Sequence, residues 1–397
     1  MDIIERFLKY VSFDTTSTNV KKDEASSPNQ YLLAKEILKQ LEELGGQDLF
    51  INKFGTVYGY FPGSIKGDSV VLIAHMDTSN AAKGGDIKPR IIDNYDGKDI
   101  ELSKGTTMKV TDFPSLKNSK GHQLIVTDGT TLLGADDKAG ISIAMDVVSY
   151  FVTNKIAHKS IEVVFSTDEE IGVGADHVEI ERMHSKYGYT IDGGDIHYLC
   201  VENFNAASMN VEIIGRSIHP GSAKDKMINA VNVGVEFHDS LPKFMRPEDT
   251  DNRDGFYHII NFNGDEEKAR LEYIVRDFNE NKLQSMLDYA KLAEERINKK
   301  YGANVISVEI IKTYKNMGPI IDKHPEIMER IEKIYKSKGI NYEFEPIRGG
   351  TDGAVLTNRG FYCPNIGTGG ANFHGRFEYL DVDQMKQMSK ILIELFK

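Results

Sequence analysis

Two histidines and three carboxylates lie at separate places along the chain where hydrophobic, strand-like runs give way to turns that contain glycine. Imidazole nitrogens and carboxylate oxygens are ligands of zinc and similar divalent ions. Two histidines and three acids are what a pair of such ions needs if a bridging water is to stay open for chemistry. Metal-assisted hydrolysis is therefore the first hypothesis, and its five candidate ligands are His75 in AHMDT, Asp136 in GADDKAG, Glu170 in STDEEIG, Asp192 in IDGGD and His374 in NFHGRFE.

Each of these positions, taken alone, also has an ordinary structural explanation. An acid just before a helix, such as Asp136, often caps that helix, and acids at a helix start suit its macrodipole. An acid followed by two glycines, such as Asp192, is a common turn, and a lone histidine such as His374 is more often structural than a ligand. The combination favours metal binding, because three of the sites end predicted strands, and ligands of open α/β sheets bind beyond the strands' carboxyl ends.

Two more acids stand next to candidate ligands. Side chains two residues apart in a strand face the same side, so Asp77 can point with His75 and hold its ring, as carboxylates and carbonyls commonly do for a ligating histidine. Glu169 precedes Glu170, and adjacent glutamates suit two tasks. One of the pair binds metal, while the other acts as a general base that is not neutralised by ligation.

The elements that must position these residues alternate between strands and helices. Residues 69–75 (SVVLIAH) and 161–167 (IEVVFST) are continuous apolar runs typical of buried strands. Residues 139–151 between them carry an apolar stripe at helical spacing. This alternation predicts an α/β layer with a mostly parallel sheet and helices on both faces. The polar stretch 78–127 is interpreted as an elaboration on the sheet rather than a linker.

The pattern changes after about residue 206. Strand-like and helical segments follow in the order β-α-β-β-α-β, with helices predicted at 226–238 and about 280–300, which matches an α+β module with an antiparallel sheet. The α/β character returns from about residue 317. We therefore predict a catalytic di-metal domain formed by residues 1–206 and 317–397, with a smaller domain, 207–316, inserted into it.

Composition excludes several other classes of function. The chain has 397 residues, enough for two domains, and its net charge of −12 lacks the basic balance that favours binding to nucleic acid or anionic lipid. The opening MDIIERFLKYV is too charged for a secretory signal, and no run reaches the roughly 18 apolar residues of a membrane span. Two cysteines, Cys200 and Cys363, imply no disulfide framework. We expect a cytoplasmic protein.

The motifs HMDT, GADDKAG, DEEIG, TIDGG, IHPGSAKDKMINA, RGGTDGA and NFHGRFEYL, taken together, resemble the peptidase T family of tripeptide aminopeptidases, within the di-zinc aminopeptidase and carboxypeptidase superfamily. They extend over essentially the whole chain in the order of that family. The resemblance implies the di-zinc exopeptidase fold, peptidase activity on short peptides, and two Zn²⁺ ions per subunit, with Co²⁺ or Mn²⁺ as other possible metals.

The resemblance also implies a role for each residue of the site. His75, Asp136 and Asp192 hold one ion, and Asp136 bridges to a second ion held also by Glu170 and His374. Independently of the resemblance, the position of Asp137 before the predicted helix indicates a cap or an exposed residue. A cis peptide bond follows the bridging acid, between Asp136 and Asp137. The assigned catalytic residues are Asp77, which orients His75, and Glu169, the general base.

The inserted domain is expected to act as a lid. In the superfamily a lid histidine stabilises the oxyanion and an arginine binds the substrate's far carboxylate, which implies these roles for His219 in SIHPG and Arg276 in VRDF. Asn232, Gly350 and Asp352 are candidate substrate contacts. A homodimer through the lid domain is a further expectation.

Three alternatives remain open. A related di-zinc dipeptidase, carboxypeptidase or deacylase would share every metal residue. An inactive metal-binding or peptide-binding homologue would be expected to have lost Glu169 or a ligand, and this chain retains them. An acidic cation-binding scaffold would favour carboxylates and carbonyls over His75 and His374.

Overall fold

The chain forms two compact units in the computed structural model, which describes residues 1–21 and 23–397. Unit 1 comprises Met1–Val201, Pro319–Glu345 and Thr351–Lys397, and unit 2 comprises Glu202–Gly318 and Pro346–Gly350. The segment Pro346–Gly350 groups with unit 2, although the sequence placed it with the catalytic domain. The division into a catalytic domain and a lid concerns function and remains a prediction.

Most of the longer helices bury one apolar face, whereas the helix Ala135–Asn154 is buried on nearly all sides. A capping box begins the first helix of the chain, because the Asp2 side chain accepts from the Glu5 N–H while the Glu5 side chain accepts from the Asp2 N–H. Within the described residues, no helix combines the length and the apolar character needed to cross a membrane. The helices are α1 (Ile3–Val11), α2 (Pro28–Glu43), α3 (Ala135–Asn154), α4 (Ala230–Ser240), α5 (Glu280–Tyr301), α6 (Gly318–Ile321), α7 (Pro325–Ser337), α8 (Asp352–Asn358) and α9 (Val382–Phe396).

The strands are mostly short and rich in β-branched and aromatic residues. They are β1 (Gln47–Ile51), β2 (Val57–Phe61), β3 (Val70–His75), β4 (Arg90–Ile92), β5 (Ile100–Ser103), β6 (Thr106–Met108), β7 (Leu124–Val126), β8 (Ile161–Ser166), β9 (Gly188–Gly193), β10 (Tyr198–Cys200), β11 (Asn205–Ile214), β12 (Phe256–Gly264), β13 (Lys268–Asp277), β14 (Ile306–Lys312), β15 (Glu343–Phe344), β16 (Asn365–Gly367), β17 (Gly370–Ala371) and β18 (Tyr379–Asp381).

The central sheet of unit 1 has the order β1-β2-β8-β3-β9-β16-β10-β15. Strands β8, β3, β9 and β16 are mutually parallel, so the predicted mostly parallel sheet is confirmed. Strand β3 is buried along its whole length, because α3 packs on one face of the sheet and the cluster containing Leu356 of α8 covers Val71 and Ile73 on the other. The carboxyl ends of three neighbouring parallel strands therefore lie at one edge, between helical layers.

The polar stretch 78–127 is an elaboration, as predicted, but it does not extend the central sheet. Its strands β5 and β6 form a hairpin, and β4 and β7 join β17 and β18 of the C-terminal region in a separate sheet of order β17-β18-β7-β4. Tyr95, Leu116 and Leu124 give it a core of its own together with Tyr379 from the C-terminal region. This packing joins the stretch to the segment that carries His374.

Unit 2 has an antiparallel sheet of order β12-β13-β11-β14, and its element order β11-α4-β12-β13-α5-β14 is the predicted one. Alternate residues of β13, including Leu271 and Val275, are buried in a core shared with α4 and α5. The helix predicted over 226–238 was placed too early. Ile228 instead forms a bridge with Arg216, and the Asn229 side chain caps α4 by accepting from the Asn232 N–H.

Candidate metal centre

The five candidate ligands all belong to unit 1, and four of them lie at or just beyond the end of a strand. His75 is the last residue of β3, Asp192 lies near the end of β9, and Glu170 lies in the short 3₁₀ turn Glu169–Ile171 that follows β8. Asp136 is in the first turn of α3, where its backbone is not helical. His374 follows β17 in a left-handed backbone conformation with φ of 59°.

The side chains form two groups that share Asp136. Its Oδ1 lies 2.8 Å from His75 Nε2, which is 3.5 Å from Asp192 Oδ1. Its Oδ2 lies 3.0 Å from His374 Nε2, which is 2.9 Å from Glu170 Oε2. One carboxylate therefore presents a separate oxygen to each imidazole, which is the arrangement required of an acid that bridges two cations.

The next acid in the chain, Asp137, is buried and points to the backbone. Its two oxygens accept the N–H groups of Gly140 at 3.2 Å and His75 at 3.2 Å. The contact with Gly140 is a capping interaction three residues along, so Asp137 has the structural role that its position before a helix suggested. The peptide bond between Asp136 and Asp137 is cis.

Asp77 is fully buried and joins His75 to the turn that bears the two glutamates. His75 Nδ1 lies 3.1 Å from the Asp77 carbonyl oxygen and 3.3 Å from its Oδ1. Asp77 Oδ1 accepts the N–H of Glu169 at 3.1 Å, while Oδ2 accepts the N–H of Glu170 at 3.1 Å and the hydroxyl of Ser17. Asp77 thus fixes the backbone of both glutamates as well as the imidazole.

Burial of several acids in one cluster alters their proton affinities. Burial raises the pKa of Asp192 to about 7, and burial also raises the pKa of Glu169 well above its usual range, with Asp192 adding repulsion. Hydrogen bonds to Asp136 and Glu170 raise the pKa of His374 to about 10. The group therefore holds protons that bound cations would displace, because metal ligands bind in their deprotonated forms.

The residues present fit divalent cations. Oε1 of Glu170 is buried without a hydrogen-bond partner in the described part of the chain. An unpartnered buried carboxylate oxygen is costly unless a cation or a donor reaches it. Ligand atoms of His75, Asp136 and Glu170 lie within 4.8 Å of one another, and mixed imidazole and carboxylate donors suit zinc and its neighbours.

The predicted lid residues His219 and Arg276 lie in unit 2. The Nδ1 atom of exposed His219 accepts the Gly221 N–H at 3.1 Å, so the proton of the neutral ring is on Nε2. Arg276 on β13 donates from Nη1 to the carbonyls of Ala207 at 3.2 Å and Val275 at 3.0 Å. Its guanidinium lies 5.1 Å from the centre of the Tyr314 ring.

The other three candidate substrate contacts differ in their surroundings. Asn232 is exposed in the first turn of α4, and Gly350 lies against the Tyr314 ring, where an added Cβ would come within 2.9 Å of it. Asp352 is buried, and its oxygens accept from the Ser166 hydroxyl at 2.8 Å and the Ala175 N–H at 2.8 Å. These contacts give Asp352 a structural role, and a substrate contact by it remains a prediction.

Two acids that support the centre were not identified from the sequence. Asp168, with φ of 61°, precedes Glu169 and accepts from the Ser26 N–H at 2.7 Å and Gln30 Nε2 at 2.7 Å. Glu378 accepts three N–H groups of the loop that bears Asp136. An acid inside the otherwise apolar run FEYL was the available signal for Glu378, whereas the partners of Asp168 lie far away in the chain.

A sequence model of the family described as peptidase family M20/M25/M40 matches residues 121–397 of this chain. A protein named peptidase T from Caldanaerobacter subterraneus subsp. tengcongensis is 41% identical over 398 residues, which cover 99% of this chain and 97% of that protein. This similarity extends over both units.

Two solved structures share the fold. A tripeptidase from Staphylococcus aureus matches with a TM-score of 0.80 at 20% identity, covering 100% of this chain and 97% of that one. The aminopeptidase PepT from Bacillus cereus matches with a TM-score of 0.78 at 22% identity, and the match covers 99% of this chain and 96% of that one. At these identities the comparison concerns the fold alone.

Proposed function

The chain belongs to peptidase family M20/M25/M40, and on that premise we propose that it is a metal-dependent aminopeptidase that releases the N-terminal residue of tripeptides. The observation that carries the metal assignment is the position of Asp136, whose two oxygens face two different histidines. Full-length similarity to a protein named peptidase T supports the tripeptide substrate.

We assign one divalent ion to His75, Asp136 and Asp192, and a second to Asp136, Glu170 and His374. Imidazole and carboxylate ligands favour Zn²⁺, and they also accept Co²⁺ or Mn²⁺. When bound, ions of this kind lower the pKa of water and polarise a carbonyl oxygen of the substrate.

Proton transfer is assigned to Glu169. Asp77 accepts the backbone N–H of Glu169. No other described residue donates a hydrogen bond to the Glu169 carboxylate. The carboxylate can therefore take a proton from the attacking water as the new C–O bond forms. It then delivers that proton to the nitrogen of the leaving dipeptide as the C–N bond breaks.

Residues of unit 2 are proposed to bind the substrate. The Nε2–H of His219 would donate to the oxyanion that develops on the attacked carbonyl. Arg276 would pair with the C-terminal carboxylate, since a guanidinium matches the two oxygens of that group, and Asn232 and Gly350 would line the peptide. A cytoplasmic location and a homodimer formed through this unit remain predictions.

The assignment can be tested with three peptides. The purified protein is assayed on a tripeptide, the corresponding dipeptide and the N-acetylated tripeptide, each before and after exhaustive chelation and after readdition of Zn²⁺. We expect rapid cleavage of the free tripeptide only, lost on chelation and restored by metal. Undiminished cleavage of the acetylated tripeptide would contradict the aminopeptidase assignment, and activity that survives chelation would contradict the metal mechanism.

A further inference from the structure

We propose that Glu378 is a positioning residue of the metal centre, which holds the loop presenting Asp136 and fixes it relative to the turn that carries His374. This inference depends on the proposed function only in that Asp136 and His374 are taken as ligands. It assigns a role to an acid that neither binds metal nor touches substrate.

The contacts of Glu378 are concentrated on one loop. Its side chain is buried, and Oε2 accepts the N–H groups of Leu133 at 2.6 Å and Gly134 at 2.8 Å, while Oε1 accepts the N–H of Asp136 at 3.1 Å. The first N–H groups of a helix have no partner within the helix. Of the three N–H groups, only that of Asp136 lies in the first turn of α3, and Gly134 at the cap position has no side chain to accept it. Glu378 supplies that acceptor from a distant part of the chain, and it also accepts the N–H groups of Leu133 and Gly134 just before the helix.

The same short segment carries a ligand. The N–H of Glu378 donates to the Gly375 carbonyl at 3.1 Å, and Asn372 Nδ2 donates to the Phe377 carbonyl at 3.0 Å. These bonds close a compact turn in which His374 projects from its middle. Strand β18 then continues directly from Glu378 and pairs with β7 and β17, so both ends of the turn are attached to a sheet.

This arrangement makes the position of the Asp136 carboxylate, between the His75 and His374 imidazoles, dependent on Glu378. Asp136 must place one oxygen 2.8 Å from His75 Nε2 and the other 3.0 Å from His374 Nε2. A small shift of its backbone would improve one contact only by lengthening the other. Glu378 binds the Asp136 N–H and lies four residues after His374. It therefore sets the distance between the Asp136 carboxylate and the His374 imidazole.

The substitution Glu378→Gln isolates the contact between the Glu378 carboxylate and the Asp136 N–H. A Gln side chain has the shape of Glu, but one carboxylate oxygen becomes an NH₂ group that only donates. Its carbonyl can keep the two N–H groups of Leu133 and Gly134, and the NH₂ group then faces the N–H of Asp136. The variant therefore disturbs the loop at the bridging ligand while leaving the volume of the core unchanged.

The experiment measures metal binding directly, independently of any peptide. Metal-free wild-type protein and Glu378→Gln are titrated with Co²⁺, and the visible absorption spectrum is recorded alongside the affinity of each equivalent; kcat and KM for a tripeptide follow. The matched control is Glu162→Gln, because the buried Glu162 carboxylate also accepts backbone N–H groups, those of His184 at 3.0 Å and Ser185 at 3.3 Å, at the opposite end of β8. Thermal unfolding of the metal-free proteins shows how far each variant is destabilised.

We expect Glu378→Gln to bind Co²⁺ about 10–100-fold more weakly, the usual effect of a lost outer partner of a metal ligand, with an altered spectrum and a lower kcat. Glu162→Gln should lose similar thermal stability and keep the wild-type affinity and spectrum. Wild-type affinity and spectrum in Glu378→Gln, or equal losses in both variants, would overturn the proposal.

A second variant covers the case in which Glu378→Gln does not fold. Asn372→Gly keeps the left-handed backbone of the turn, where φ is 57°, but removes the bond to Phe377, and it should weaken Co²⁺ binding in the same direction. Wild-type binding in a folded Asn372→Gly would then count against the role of the turn. If the wild type binds two Co²⁺ and cleaves no tripeptide, the proposed function fails while the role of Glu378 still stands or falls on the titration.

Discussion

Replacing Asp77 with asparagine removes one charge from a buried carboxylate that serves four donors. Oδ1 faces the N–H of Glu169 and the His75 ring, and Oδ2 faces the N–H of Glu170 and the hydroxyl of Ser17. The new NH₂ group must take one of these places. It should take that of Oδ2, because the Ser17 hydroxyl can turn and accept, so that only the Glu170 N–H loses its acceptor.

The expected loss of stability follows from that count. A buried donor left without a partner costs about 1–3 kcal/mol, and a bond to a neutral acceptor is worth about 1 kcal/mol less than one to a charged acceptor. One orphaned N–H and two weakened interactions, with the Glu169 N–H and the His75 ring, amount to about 3–5 kcal/mol. Because both glutamates of the centre shift, we also expect kcat/KM to fall by about 10–100-fold.

Urea unfolding of the metal-free protein, followed by far-ultraviolet circular dichroism, measures the loss of stability. Tripeptide hydrolysis at saturating metal measures the fall in kcat/KM. Glu162→Gln again serves as the control, with a loss of stability and an unchanged kcat/KM. If Asp77→Asn loses stability but keeps the wild-type kcat/KM, Asp77 does not position the catalytic groups. If it loses activity with no loss of stability, the hydrogen-bond count is wrong.

The remaining predictions concern the assigned roles one by one. Glu169→Gln should retain both ions by elemental analysis while kcat falls by about 10²–10⁴-fold, the range for a lost general base; loss of an ion would make Glu169 a ligand. His374→Ala should lose one ion on dialysis, whereas Asp136→Asn should weaken the binding of both, and equal losses would contradict the bridge. His219→Ala should lower kcat by about 10²–10³-fold at unchanged metal content, with a smaller loss in His219→Gln, which keeps an N–H donor; a change in KM alone would make His219 a binding residue instead.

Periodicity predicted the elements that bury apolar faces on both sides. The run 69–75 became β3, the run 161–167 became β8, and the stripe over 139–151 became the middle of α3. These segments are recognisable because burial demands a continuous apolar pattern. The start of α4 was placed wrongly, since helical spacing alone does not reveal that Ile228 is committed to a bridge with Arg216.

Ligand type and position predicted which side chains lie together, but not how they are held. His75 and Asp192 were recognisable because they end strands whose carboxyl ends share one edge of the sheet. The bonds from the Ser26 N–H to Asp168 and from the Asp136 N–H to Glu378 join residues 142 and 242 positions apart. No local pattern encodes such pairs, because each partner by itself is an ordinary polar residue near a turn.

The hydrogen bonds of the buried acids separate two functions that the sequence does not distinguish. Acids whose oxygens accept N–H or O–H donors have part of their lost hydration compensated without a cation. Acids whose oxygens lack such donors face each other and the imidazoles instead. Burial raises the pKa of acids in both sets, including Asp137 and Glu378 in the first and Glu169 and Asp192 in the second, so the hydrogen bonds, and not the pKa values, separate the sets. The oxygens of the second set are the ones left available to divalent cations or to a proton, so its members are proposed as the ligands or the base, whereas the first set forms their support. The support comprises Asp77, Asp137, Asp168, Asp352 and Glu378, and the proposed ligands and base comprise Asp136, Glu169, Glu170 and Asp192.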